Sequence, residues 1–261
     1  MRNKFTGLTI GLLFLSLFVV LVSCATDKTP LQLQNSIPEN ELAYYSDSFD
    51  LLREDVWEKA GHVFKAEQLA SIKIADMTIE KGRLRIKTKT GGFSKGGLVS
   101  KFALRGDFDV QVDFQIDFVA GHLDMDQVLG FGIVEKTDAG TPVRLTSISL
   151  SKKGNNKSGM ISGYLAQGKY NRGFWQSIDN FNGSVRFTRT GDQVSTFYRK
   201  KGQSRWKKMC ALPSGQLDIS IGFVLQNFTN DRTSITATRS IKAYVDNFAI
   251  NAAQEIIESE I

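Results

Sequence analysis

The chain is poor in the residues that build metal and redox centres. Its 261 residues hold two cysteines, Cys24 and Cys210, and two histidines, His62 and His122. Two histidines exclude a His-rich metal site, and no Cys/His cluster has zinc spacing. No Cys-x-x-Cys pair is present for disulfide exchange. The phosphate cradles of nucleotide enzymes, Gly-x-x-x-x-Gly-Lys-Ser/Thr and a strand-linked Gly-x-Gly-x-x-Gly, are both missing. Proline is scarce, with four in the chain.

Long apolar runs are absent too, with one exception. Residues 1–7 carry Arg2 and Lys4 and no acid, and Leu8 to Val22 is apolar but for Thr9, Gly11 and Ser16. A basic start, a short apolar stretch and a small residue before a cut mark a secretory signal. The run is shorter than the roughly 20 residues that a permanent membrane helix requires. Its ending, Leu21-Val22-Ser23-Cys24, resembles a bacterial lipobox. That resemblance implies removal of residues 1–23, palmitate-type lipid attachment at Cys24, and a lipoprotein held on a membrane of the cell envelope. Ala25 is not the aspartate that retains some lipoproteins on the inner membrane, so outer-membrane placement is preferred. Cleavage removes Arg2 and Lys4, leaving 31 of 33 basic residues against 27 acids. Cys210 is then without an intramolecular partner. Residues 24–43, polar and carrying Pro30 and Pro38, read as the lipidated cysteine and a tether. Its 19 residues beyond Cys24 could extend roughly 60 Å at about 3.3 Å each.

From Tyr44 the dominant period is two. Phe108, Val110, Val112, Phe114, Ile116 and Phe118 alternate with Asp107, Asp109, Gln111, Asp113, Gln115 and Asp117. Leu217, Ile219, Ile221 and Phe223 do the same, as do Ala243, Val245, Asn247 and Ala249. Such alternation gives strands with one buried and one wet face. Turn signals such as Lys81-Gly82, Arg105-Gly106, Thr190-Gly191-Asp192 and Lys201-Gly202 separate the runs at even spacing. The reading is an all-β, two-sheet antiparallel sandwich over residues 44–251, with eleven or twelve strands. Helix is expected only at Leu51 to Lys59 and in the C-terminal tail, at Ala252 to Glu260; the tail itself is 252–261.

Four segments in order carry a resemblance: Ser48-Phe49-Asp50 with Trp57; Glu80 to Ile86 leading into Gly97-Leu98-Val99-Ser100; Arg105 to Val112; and Val185 to Gly191 with Tyr198 and Trp206, closing on Val245 to Ile250. Together they resemble the concanavalin A-like lectin/glucanase superfamily, particularly its laminin-G-like and uncharacterised bacterial members. The resemblance implies a jelly roll of two curved antiparallel sheets, with ligands on the concave face or the loops around it. It also implies that the chain ends pair in one sheet, bringing Phe49 and Phe248 together.

Glycanases of that superfamily carry Glu-x-Asp-x-x-Glu on one strand, and this chain has no such triplet. Asp107, Asp109, Asp113 and Asp117 fit a solvated strand face. Lyases of similar fold use Gln-x-His with a Tyr near a Lys, and only the stretch Tyr164 to Tyr170 echoes the second part. No serine nucleophile elbow is expected. No catalytic residue is therefore assigned. Asp246, with Asp50, matches the position at which such folds hold one structural Ca²⁺; the two also read as turn caps. Asp124 and Asp126 are a weaker pair. Residues 164–181 gather Tyr164, Tyr170, Phe174, Trp175 and Phe181 among polar residues, the composition of a glycan site: Trp175, Tyr170, Tyr164, Arg172 and Gln176. A loop tucking its aromatics under the sandwich has the same composition. Arg199, Lys200, Lys201, Arg205, Lys207 and Lys208 crowd one hairpin, which suits a polyanion such as an acidic polysaccharide or lipid phosphate; it equally suits a solvated edge hairpin. Trp206 beside it reads as a core or edge aromatic.

The expected function is a membrane-anchored, non-catalytic carbohydrate-binding sandwich that meets membrane lipid through Cys24 and a neutral or acidic glycan through its surface, and not nucleic acid. The alternatives are a glycan-active enzyme, hydrolase or lyase, with an unrecognised site, and an envelope scaffold that binds another protein.

Overall fold

The computed structural model describes residues 37–59, 72–119, 125–154, 156–229 and 239–258. The signal segment 1–23, Cys24, tether residues 25–36 and Asp124 lie outside the described residues. One helix, α1 (Glu39–Tyr45), precedes fourteen strands: β1 (Trp57–Lys59), β2 (Ile72–Ile74), β3 (Asp76–Ile79), β4 (Leu84–Lys87), β5 (Phe93–Ile116), β6 (Met125–Lys136), β7 (Pro142–Lys153), β8 (Gly159–Ala166), β9 (Lys169–Ser177), β10 (Phe181–Thr190), β11 (Gln193–Lys200), β12 (Lys207–Pro213), β13 (Asp218–Thr229) and β14 (Lys242–Glu258).

The 24 residues of β5 organise the rest. Its first half pairs with β13, and the layer continues β13–β6–β7–β8–β9. Its second half pairs with β10 on one side and β14 on the other, giving a second layer β3–β4–β14–β5–β10–β11–β12. Every named pairing is antiparallel except the short one of β2 with β5. The two layers meet face to face: Phe131 of β6 lies 5.0 Å from Phe187 of β10, ring to ring. Ser162 of β8 donates to Thr196 Oγ1 of β11 at 3.0 Å across the same gap.

Alternation places the core as expected. Phe108, Val110, Val112, Phe114 and Ile116 are all buried, each contributing about 1.5–3 kcal/mol by leaving water. Phe49 and Phe248 are buried beside Trp57, and Asp47 and Phe248 exchange two backbone hydrogen bonds of 2.9 Å, so the ends of the domain do pair.

Five expectations change. The strand count rises to fourteen among the described residues, because β1, β2 and β3 have three or four residues each, too few for a period to show. Leu51 to Lys59 makes a turn that runs into β1 rather than a helix, the turn closed by Trp57 N–H donating to Arg53 O at 3.0 Å. Ala252 to Glu258 continues β14 instead of forming a helix, pairing with Phe102 to Asp109 of β5. A free edge on β5 outweighs the helix propensity of Ala, Gln and Glu. The sandwich also begins before residue 44: Ile37 N–H bonds to Ala253 O at 3.3 Å, and Leu42 and Tyr45 of α1 pack on the core.

Asp109 is the fifth. It does face away from the core, yet it is 0% exposed rather than solvated. Arg186 of β10 grips both its oxygens, and Asn251 of β14 donates to it at 3.1 Å.

Candidate functional site

The outward side of the β5–β13–β6–β7–β8–β9 layer is a broad surface with a floor of small residues. Register fixes which side chains share it. Gly97 of β5 lies opposite Val224 of β13; Gly222 and Val224 of β13 lie opposite Gly132 and Gly130 of β6; these in turn meet Ser147 and Ser149 of β7. Beyond them come Gly163 and Ile161 of β8, then Arg172 and Trp175 of β9. Six strands at about 4.8 Å make this floor roughly 24 Å across.

Aromatic rings stand at both sides of it. On β9, Trp175 is 53% exposed and Tyr170 48%. Tyr170 reaches back over β8 toward Ser147 of β7. Gly163 makes that crossing possible, because a Cβ there would sit 2.7 Å from the Tyr170 hydroxyl. Trp175 lies over Gly159 in the same way, its Nε1 2.8 Å from where a Cβ would be. Burial against the sheet raises the Tyr170 pKa above its ordinary value, against the opposing pull of the nearby Ser147 hydroxyl and of Arg172. At the far side Phe93 of β5 and Phe228 of β13 meet edge to face at 5.6 Å.

The aromatic segment is therefore a pair of strands, not a loop, and the five residues singled out there divide between its two faces. Trp175, Tyr170 and Arg172 share the open face. Gln176 points the other way and accepts a hydrogen bond from Tyr198 at 2.8 Å. Tyr164 is paired with the inward Thr146 and lies under the Arg144 guanidinium at 5.4 Å. The alternation that separates them is visible in the sequence only once β9 is recognised as a strand. Phe93, Phe228, Gln226 and the floor glycines escaped notice because the chain supplies them from strands far apart in sequence.

The basic hairpin forms between β11 and β12, and its cations scatter. Arg199 stacks on Trp206 at 4.5 Å, Lys207 lies over Tyr198 and Lys208 over Phe197, each at 5.9 Å, while Arg205 is exposed in the turn. Trp206 is half-buried, as an edge aromatic should be. Asp50 and Asp246 come near enough to interact electrostatically. Asp50 accepts from the Ser48 hydroxyl and Asp246 from the Asn247 backbone, each at 2.8 Å. Among the described residues no group of three or more His, Cys, Asp or Glu side chains converges. Two carboxylates fall short of the six to eight oxygens that Ca²⁺ takes, so side chains here do not build a cage for it. Asp126 stands alone among the described residues of its weaker pair.

The string Gly-x-Ser-x-Gly does occur, at Gly92 to Gly96. It is no nucleophile elbow: Ser94 lies inside β5, fully buried, and donates to Lys73 O at 2.8 Å.

Two charged groups on the open face are electrostatically strained. Asp126 of β6 has its pKa raised by burial, only partly offset by Lys153, and its Oδ1 has no hydrogen-bond partner among the described residues. Lys95 of β5 is pushed down by burial from 10.5 to about 8. Between these two values the unfolded chain binds more protons than the folded one, so stability rises with pH across that window. Lys95→Met should therefore unfold at higher urea than wild type at pH 7.5, with the gap closing by pH 10. A gap that does not change with pH would contradict the burial of this amine.

No protein-family model matches the chain, and no curated protein matches it in sequence. Solved structures do match in shape. The CBM2 module of the evolved Dit of Lactobacillus casei BL23 phage J-1 superposes with a TM-score of 0.52 at 11% identity, over 79% of this chain and 95% of that one. LamAcat from Zobellia galactanivorans gives 0.53 at 13% identity, over 78% and 95%. A Bacteroides ovatus mixed linkage glucan GH16 protein gives 0.52 at 11% identity, over 78% and 98%. With two antiparallel layers joined through β5, and with these neighbours, the chain has the concanavalin A-like jelly-roll fold.

Proposed function

We propose that the open face of the β5–β13–β6–β7–β8–β9 layer holds a glycan chain laid across the strands, on a domain tied to the cell envelope through Cys24. The observation that carries this is that Trp175 and Tyr170, each about half exposed, reach over Gly159 and Gly163 at the rim of a glycine- and serine-floored trough. Rings held this way stack on sugar faces, and Arg172, Ser147, Ser149 and Gln226 supply hydroxyl partners. The envelope placement rests on the sequence of residues 1–25.

Of the two finer readings, a glycan-active enzyme is better supported than a purely binding module. LamAcat is a neighbour, a related LamA structure contains laminaritriose and laminaritetraose, and another neighbour is a GH16 protein bound to its product. On this chain the group suited to acid catalysis is Asp126, whose raised pKa and unpartnered Oδ1 fit a general acid facing the trough. Glycoside hydrolysis ordinarily needs a second carboxylate about 5–9.5 Å away; on β7 the residue opposite Asp126 is Lys153, and Ser149 and Ser147 lie farther along, opposite Gly130 and Gly132.

Titrating the full chain with laminaritetraose separates these. Binding should fall about tenfold or more in Trp175→Ala, with little change in melting temperature because the ring is half exposed. Reducing-end release that vanishes in Asp126→Asn while binding persists would establish the enzyme. Binding without release would leave the module, and no binding to any neutral β-glucan would sink the open-face reading.

A further inference from the structure

A cavity of about 340 Å³ opens on the other layer, where β5, β14, β10 and the β11–β12 hairpin come together. Its floor is Asp113 of β5 opposite Asp246 of β14. Its walls are cationic: Arg83, ahead of β4, on one side, and Arg199 and Lys200 at the end of β11 on the other.

The two arginines are held in place without being neutralised. Arg83 donates to Gln115 Oε1 at 2.9 Å and stacks on the Tyr244 ring at 4.3 Å. Arg199 is braced on Trp206 at 4.5 Å, with Nη2 3.4 Å from Ser184 Oγ. Among the described residues neither guanidinium makes an ion pair within 4 Å. A guanidinium fixed by stacking and by one edge keeps its remaining N–H groups for a planar or tetrahedral anion.

The carboxylates narrow the choice of anion. Asp113 is satisfied within the protein, by Ser184 Oγ at 2.5 Å and Asn247 Nδ2 at 3.1 Å. Asp246 receives the Asn247 backbone N–H at 2.8 Å on Oδ1, and its other oxygen accepts no hydrogen bond among the described residues. Asn247 sits at a φ of 47° where β14 slips register against β5, which turns Asp246 and Asn247 toward the cavity together. A bare phosphate or a lipid headgroup would meet these two carboxylates at close range and be repelled. A sugar that carries one anionic group and several hydroxyls would use both walls and floor, since carboxylates accept from hydroxyls and amides both accept from and donate to them.

We infer that this cavity binds an acidic sugar unit, its carboxylate or sulfate held by Arg83 and Arg199 and its hydroxyls by Asp246 and Asn182. The site lies on the opposite layer from the glycan trough and stands or falls independently of it. It also takes up half of the basic hairpin, Arg199 to Lys201, and leaves Arg205, Lys207 and Lys208 outside.

Calorimetric titration of the full chain at physiological salt tests this with three probes: a tetragalacturonate, a sulfated galactan tetrasaccharide, and the neutral galactan tetrasaccharide. One charged probe should bind, and which one names the anion; the neutral probe should not. Arg83→Gln and Arg199→Gln should each weaken that binding at least tenfold, while Trp175→Ala leaves it unchanged. Should Arg199→Gln fail to fold after losing its seat on Trp206, Arg83→Gln and Asp246→Asn carry the test, the latter with a loss of about threefold. The inference is overturned if neither charged probe binds, if the neutral one binds equally, or if Trp175→Ala removes the binding. Binding only to phosphatidylglycerol vesicles would overturn it in favour of a lipid surface.

Discussion

Trp57→Ala should be among the most damaging single changes in this chain, at about 3–5 kcal/mol. The ring is 2% exposed and touches four others: Phe248 at 5.0 Å, Phe223 at 5.4 Å, Phe49 at 6.1 Å and Phe102 at 6.4 Å. Those rings come from β13, β14, β5 and the entry segment, so one side chain joins both ends of the domain to its middle. Truncation also strips Asp47 of a hydrogen bond, since Trp57 Nε1 donates to Asp47 Oδ2 at 2.8 Å. Asp47 is buried, and burial already raises its pKa; losing a donor raises it further. Urea unfolding checks the effect, with a lower midpoint and an unchanged slope. Trp57→Phe separates the two parts, since it keeps most of the packing and should lose about 1–3 kcal/mol for the unpartnered acceptor. If Trp57→Ala costs under about 1 kcal/mol, the aromatic cluster is not the support described.

The second large effect is expected at Arg186→Ala, and it comes from what is left behind. Asp109 is 0% exposed, and the Arg186 fork neutralises it while lying between the Phe197 and Trp206 rings at 5.6 and 5.5 Å. Asn251 alone cannot offset a buried charge. Removing one member of such a pair typically costs about 3–5 kcal/mol, whereas replacing both with apolar residues is often neutral. Arg186→Ala should therefore lower the melting temperature strongly, and the double change Arg186→Leu with Asp109→Leu should recover most of the loss. A double variant no better than the single one would mean that Arg186 acts through its stacking alone.

The long strands were legible in the sequence because each buries one face. The run from Phe108 to Ile116 states its own inward set, and Val245 to Ile250 announces the closing strand. Three kinds of feature were not. Short strands such as β2 have no room for a period. The segment Ala252 to Glu258 has helical residues and is a strand only because β5 offers an edge about 150 residues earlier in the chain. Sites depend on which strands become neighbours, which no local pattern carries. Thus Trp175 and Arg172 could be found from composition, but Gln176 and Tyr164 were placed with them although β9 and β8 turn them inward. The glycines at 97, 130, 132 and 222, which make the trough, look in sequence like weak points in strands. Asp109 looked solvated because its neutralising partner is 77 residues away.

The double duty of β5 sets an order for assembly. Its second half is flanked by β10 on one side and β14 on the other, and β14 is the last strand among the described residues. Until residues 242–258 arrive, that side of β5 presents a long row of unpaired backbone groups, the kind of edge onto which other chains add. Completion of the sandwich is thus a late, non-local event, and pairings of that range form slowly. Ile37, bonded to Ala253, locks down only after the same step, so the segment leading back to Cys24 gains its fixed exit point last of all.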